Sequence, residues 1–129
     1  MKKFFSEQKG FSLIELLVVM SIIGVLATVA IPKFTNTIKL ANTTKIQSDL
    51  QTLNSAIVMY QATNGKYPSS VSDLKDFIVN VDKLKPPTGD CLLQNGETKT
   101  ISATSYSLSS NNEEALCQGL SLNDIGRKQ

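Results

Sequence analysis

The sequence predicts an α+β fold, in which one long N-terminal α-helix packs its second half against a small C-terminal antiparallel sheet. Three observations carry this. A run of 21 residues from Phe11 to Ile31 is apolar except for Glu15, Gly24 and a few hydroxyl side chains. Beyond Pro32, apolar residues recur every three or four positions, as Phe34, Ile38, Ala41, Ile46, Leu50, Leu53, Ile57 and Tyr60, which traces one face of a helix. After Pro86-Pro87 the composition turns to Thr, Ser, Asn and Gly with short alternating runs, the pattern of strands and turns.

The chain has 129 residues, the size of one small domain. Its 41% hydrophobic content is segregated, with apolar residues crowded into the first quarter. The formal charge of +2 comes from Lys2, Lys3 and Lys9 against Glu7; the rest of the chain is balanced. A balanced chain has no bulk attraction for nucleic acid, which depends on Lys and Arg neutralising phosphates. Local patches, such as Lys83 with Lys85, leave a nucleic-acid role undecided. The sequence has no His, so the commonest general base and metal ligand is missing. With no Ser/His/Asp set, phosphate loop or Cys/His constellation, the chain is not expected to be an enzyme or to hold a cofactor.

The first apolar run is long enough to span a membrane, because 21 helical residues reach about 30 Å, the thickness of the hydrocarbon core. The preceding lysines favour a cytoplasmic N-terminus. Glu15 is the anomaly: an acid in a membrane helix costs roughly 2.5 to 3.5 kcal/mol on insertion scales and usually has a partner. Hydration near the interface, or protonation, would remove the need for one. The alternative is a buried cation.

The stretch Gly10-Phe11-Ser12-Leu13-Ile14-Glu15 closely resembles the type IV pilin-like family: type IV pilins and the pseudopilins of type II secretion and competence machines. The resemblance implies cleavage between Gly10 and Phe11 by a prepilin peptidase and N-methylation of Phe11. It also implies that Glu15 pairs with the Phe11 amine of a neighbouring subunit, supplying the buried cation and fixing axial register. Gly24 and Pro32 match the family's helix-weakening positions; Pro removes a backbone donor and Gly lowers helix propensity. The organisation expected is a leader at 1–10 removed on maturation, a transmembrane and filament-core helix at 11–32, and a globular head at 33–129 containing the second half of the helix.

Partners implied by the resemblance are identical and related pilin subunits, the prepilin peptidase, a membrane assembly platform with its ATPase, and membrane lipid before assembly. The precursor would be single-pass with its head outside the cytoplasm, then part of a periplasmic or extracellular filament. Competence, secretion, and adhesion or motility share this N-terminal block, so the machine is undecided. The competing function is a membrane-anchored monomeric extracellular binding module. A secretory signal peptide cut near Ala27 or Ala30 is the rival reading of the N-terminus, but the run exceeds the usual 7 to 15 residue core and contains a glutamate.

The long helix is expected from about Ser12 to Ala62, stopped at Asn64-Gly65, with Lys39, Lys45, Gln47, Ser48, Asp49 and Gln51 off its apolar stripe. Asn64-Gly65-Lys66-Tyr67-Pro68 resembles a Gly-x-Tyr-Pro turn of the same family. Ser69 or Ser70 should cap a short helix through about Ile78, with Val71, Leu74, Phe77 and Ile78 facing the core. Asn95-Gly96 signals a two-residue hairpin turn between Cys91-Leu92-Leu93 and Thr98 to Ala103. Further strands are expected at Ser105 to Ser109 and Ala115 to Cys117, with a loose polar tail from Asn123.

Cys91 and Cys117 are the only cysteines. In a head outside the cytoplasm they should form one disulfide, and many family members staple this region. Closing a loop of that length contributes roughly 3 to 4 kcal/mol in the loop-entropy account. Two cysteines without His are a poor zinc site. Some secretion pseudopilins hold calcium in C-terminal loops, which singles out Asp90, Glu113 and Asp124; their spacing matches no EF-hand, and solvated surface charge is the reading adopted. No metal is expected.

Overall fold

Leu13–Asn64 is a single α-helix (α1) in the computed structural model, which describes residues 10–126. The expected leader lies almost wholly outside the described residues. The helix bounds fall within two residues of those read from periodicity, and Gly24 and Pro32 both lie inside the unbroken element. Pro32 has no N–H to give the Thr28 carbonyl, the bond its position would otherwise make. Hydroxyl side chains along α1 turn back onto the carbonyl one turn earlier: Ser21 to Leu17 at 2.8 Å, Thr44 to Leu40 at 3.0 Å and Thr63 to Met59 at 2.9 Å. This satisfies the hydroxyls within the helix and lets Ser and Thr sit in an otherwise apolar run.

The chain divides into two units, Met1–Thr35 and Asn36–Gln129, where the sequence placed the division at Pro32. Among the described residues of the first unit none is buried. The same stretch makes α1 long and apolar enough to cross a membrane, so its exposed apolar surface requires lipid or other helices to cover it.

In the second unit α1 supplies the core stripe Thr43, Ile46, Asp49, Leu50, Leu53, Ala56 and Ile57. This corrects the predicted stripe at its start: Phe34, Ile38 and Ala41 are exposed. In the head, core packing against the helix begins at Thr43. Asp49, read as part of the polar face, is only 6% exposed.

After Gly65 the chain turns through Tyr67, half-buried, and Pro68, fully buried. The short helix that follows is a 3-10 helix, Val71–Asp76, with a second at Val81–Lys83. The Asp73 carboxylate accepts from the backbone N–H groups of both Ser69 (2.9 Å) and Ser70 (3.0 Å). Leu74 and Ile78 are buried and Val71 and Phe77 pack against the core edge, the ring of Phe77 meeting Tyr60 edge-on at 5.9 Å.

The expected single sheet is two two-stranded antiparallel sheets: β1 (Gly89–Leu92) with β2 (Thr98–Ile101), and β3 (Ser107–Leu108) with β4 (Ala115–Leu116). The first hairpin also differs in its turn. Leu93 N–H donates to the Glu97 carbonyl at 2.9 Å and Gly96 N–H to the Leu93 carbonyl at 3.0 Å, making a three-residue loop with Gly96 at φ +87°. A two-residue type I′ turn needs positive φ at both central residues. Asn95 does not adopt it; its side-chain oxygen instead accepts from Glu97 N–H at 3.0 Å.

The segment after Asn123 is tied down as far as Gly126, against expectation. Gln94 N–H donates to the Asp124 carbonyl, Gly126 N–H donates to the Leu92 carbonyl, and Ile125 is fully buried. Gln47 Nε2 donates to the Ile125 carbonyl at 2.9 Å. A Cβ on Gly126 would stand 2.3 Å from that same nitrogen, and φ is +125° there, so glycine is required for the approach.

Candidate assembly site

Glu15 sits in the first turn of α1. Ser12 N–H donates to Glu15 Oε2 at 2.8 Å, and Glu15 N–H donates to Ser12 Oγ at 3.3 Å. This reciprocal pair is a capping box, in which two N–H groups with no intrahelical partner are satisfied by each other's side chains. A carboxylate there is also favoured by the positive end of the helix dipole. Glu15 thus has an intrachain role that charge reasoning alone missed, although the Ser-x-x-Glu spacing of Ser12 to Glu15 signals it. Gly10 and Phe11 are exposed just before the cap. Phe11, Ile14, Glu15, Val18 and Val19 line one shallow depression, so the single acid of this face is ringed by apolar side chains.

The head joins α1 to its strands through polar side chains rather than by apolar contact alone. Asn42 Nδ2 donates to the Asp90 carbonyl at 3.1 Å, Leu92 N–H to Thr43 Oγ1 at 2.9 Å, and Ala115 N–H to Asn54 Oδ1 at 2.7 Å. Asp49 is the buried carboxylate among these groups: Tyr106 donates its hydroxyl to Asp49 Oδ2 at 2.6 Å, and Lys45, one turn earlier on α1, makes an ion pair with the same oxygen. Among the described residues no buried side-chain polar atom lacks a partner.

Cys91 and Cys117 are free, fully buried thiols in this structure. Burial pushes the Cys117 thiol up from 9.0 to about 11, helped by the neighbouring Cys91, and burial likewise raises Cys91. Burial and the Asp49 carboxylate raise the Tyr106 phenol well above its usual value. These groups stay protonated in the folded head at pH values where the unfolded chain has begun to ionise them. Their contribution is complete below the unfolded pKa and is lost as pH rises through the folded one. The reduced head is therefore expected to lose stability from about pH 9 towards 11, read as a falling thermal midpoint; a flat profile over that range would contradict the burial argument.

The three carboxylates considered for calcium are each engaged locally. Asp90 accepts from the Thr100 hydroxyl, Glu113 from Asn111 and Asp124 from Ser121. No group of three or more His, Cys, Asp or Glu side chains suited to a metal ion occurs among the described residues.

The family described as the prokaryotic N-terminal methylation motif matches residues 6–31, which includes Gly10, Phe11 and Glu15. The N-terminal segment is type IV pilin-like. Relatives of this chain include the type II secretion system core protein G of Pectobacterium carotovorum subsp. carotovorum, 39% identical over 55% of this chain and 46% of that protein. The protein of the same description from Pseudomonas aeruginosa is 33% identical over 65% of this chain and 55% of its own length. The type IV major fimbrial protein FimA of Dichelobacter nodosus is 44% identical over 40% of this chain and 33% of its own. The chain spans about half the length of the first of these relatives. No solved structure matches it.

Proposed function

We propose that the chain is a structural subunit of a type IV pilus-like filament, made as a membrane-anchored precursor, cut by a prepilin peptidase between Gly10 and Phe11, methylated on Phe11 and polymerised through residues 11–32. The single observation that carries this reading is an acidic residue, Glu15, in an otherwise apolar exposed helical segment directly after that junction. A lone carboxylate in lipid is costly; association with a neighbour's N-terminal amine relieves the cost for both groups and favours packing over lipid solvation. The capping box uses Oε2 for Ser12, and a carboxylate has further lone pairs to offer an ammonium.

The partners of this reading are copies of the chain and related subunits, the peptidase, an assembly platform with its ATPase, and lipid before assembly. Gly24 and Pro32 are the positions where the helix would yield on packing. The head lies outside the cytoplasm, where Cys91 and Cys117 close to one disulfide. The chain is not an enzyme in this reading. The relatives favour a secretion or fimbrial filament over a DNA-uptake one, since their descriptions name type II secretion and fimbriae.

Mass spectrometry of the mature N-terminus tests the reading. The expected product starts at methylated Phe11. A start at Ile31 would mean that the apolar run is a secretory signal, and the filament proposal would fall.

A further inference from the structure

We infer that the Cys91–Cys117 pair is a folding-timed redox latch: it closes before β4 docks on α1, and a head that folds reduced stays reduced until the β4 segment lifts. The inference rests on the reading that the head is exported, because an oxidant is met only outside the cytoplasm.

Its basis is how the two cysteines are enclosed. Both side chains are completely buried in the head core. Cys91 is on β1, paired with Lys99 of β2. Cys117 directly follows β4, and its backbone N–H and carbonyl both bond Leu120 at 2.9 Å. Two clamps hold the segment around Cys117. On one side Asn54 of α1 accepts the Ala115 N–H. On the other, Gln118 Oε1 accepts the N–H groups of Ser102 at 2.9 Å and Ala103 at 3.2 Å, while its Nε2 donates to the Thr100 carbonyl at 3.3 Å. Gln118 is exposed and holds φ +51°, a conformation unfavourable for a non-glycine residue. No oxidant reaches either sulfur with these clamps in place.

Closure is thiol–disulfide exchange with an external disulfide as oxidant. One cysteine thiolate attacks that disulfide, forming a mixed disulfide and releasing one thiolate. The second cysteine then attacks the bonded cysteine sulfur and expels the other half. Two protons and two electrons leave the pair, and the external disulfide becomes two thiols. The attacking species is the thiolate, and burial leaves little of it in the folded head. The same enclosure shields the closed bond from reductant.

The test uses the full mature chain, monomeric in detergent and prepared reduced, so it does not depend on filament assembly. Thiol labelling by a maleimide and closure by oxidised glutathione are timed in native buffer and in denaturing urea. Native rates are expected to be about 100-fold slower or more, as for groups that react only through local opening. Gln118→Gly removes the three hydrogen bonds of the exposed clamp while relieving the backbone, which offsets part of that loss, and is expected to raise the native rate about tenfold, the equivalent of roughly one net hydrogen bond, with the thermal midpoint little changed. Asn54→Ala should do likewise, and its thermal midpoint reports whether the head still folds. Labelling as fast in native buffer as in urea overturns the latch. So does a rate in both Gln118→Gly and the parent that simply follows global unfolding. A closed latch in a chain that never enters filaments would sink the assembly reading and leave this one standing.

Discussion

Glu15→Ala is expected to leave the chain in the membrane and out of the filament. Removing the acid makes the helix easier to insert, by roughly the 2.5 to 3.5 kcal/mol that a charged residue costs on insertion scales. The anchor therefore survives. What disappears is the partner for the neighbouring Phe11 amine, so the driving force for leaving lipid is lost. The capping box complicates a simple alanine result, because Ala also removes the Ser12 N–H acceptor, and an N-terminal cap alone contributes on the order of 1 kcal/mol. Glu15→Gln separates the two roles. Glutamine serves the third position of a capping box as well as glutamate does, but it carries no charge. If ion pairing drives assembly, both variants accumulate in the membrane fraction and neither appears in sheared filaments. Normal filaments from Glu15→Gln would show that the cap, and not the charge, is what assembly needs.

Asp49→Ala is expected to destabilise the head by about 2 kcal/mol or more, because the buried Tyr106 hydroxyl loses its acceptor and an unsatisfied buried donor costs roughly 1–3 kcal/mol. The Lys45 partner adds less, since that side chain is half exposed and ion pairs with a solvated member are weak. For a domain of this size the change corresponds to a fall of roughly 10 °C in thermal midpoint. Tyr106→Phe tests the same bond from the other side and should cost less, because the carboxylate keeps Lys45. Replacing both, as Asp49→Leu with Tyr106→Phe, should recover most of the loss, because an apolar pair leaves no orphaned group. A midpoint unchanged in Asp49→Ala would show that the carboxylate carries no structural weight.

The fates of these two acids show where sequence reasoning reaches and where it stops. Glu15 is legible as the acid that breaks an apolar run, and the partner the structure gives it, Ser12, lies only three residues away. Even its capping role is written in the Ser12 to Glu15 spacing. The extent of α1 was legible for the same reason, since helix formation is governed by side-chain periodicity and by a stop signal at Asn64-Gly65. Asp49 was not. Its periodic position assigned it to the polar face, but its partner Tyr106 is 57 residues away. Burial of a carboxylate is tolerable only where such a partner meets it.

The same distinction separates the other errors. Asn95-Gly96 correctly marks a hairpin, yet whether the loop holds two residues or three depends on the register between β1 and β2, which cross-strand packing chooses. Asn42, Thr43, Gln47 and Asn54 look like ordinary solvated polar residues of a helix; only the folded head shows each bonded to a strand or tail backbone group more than 45 residues away. The apparently loose tail reverses for this reason, with Gln47 holding Ile125 and glycine at 126 allowing the approach. Local order therefore follows from the chain's own neighbours: the long helix, its cap, its exposed apolar half and the single acid within it. The tertiary structure alone decides which polar side chains are buried and which strands pair, because a hydrogen bond across the head depends on where distant segments come to rest.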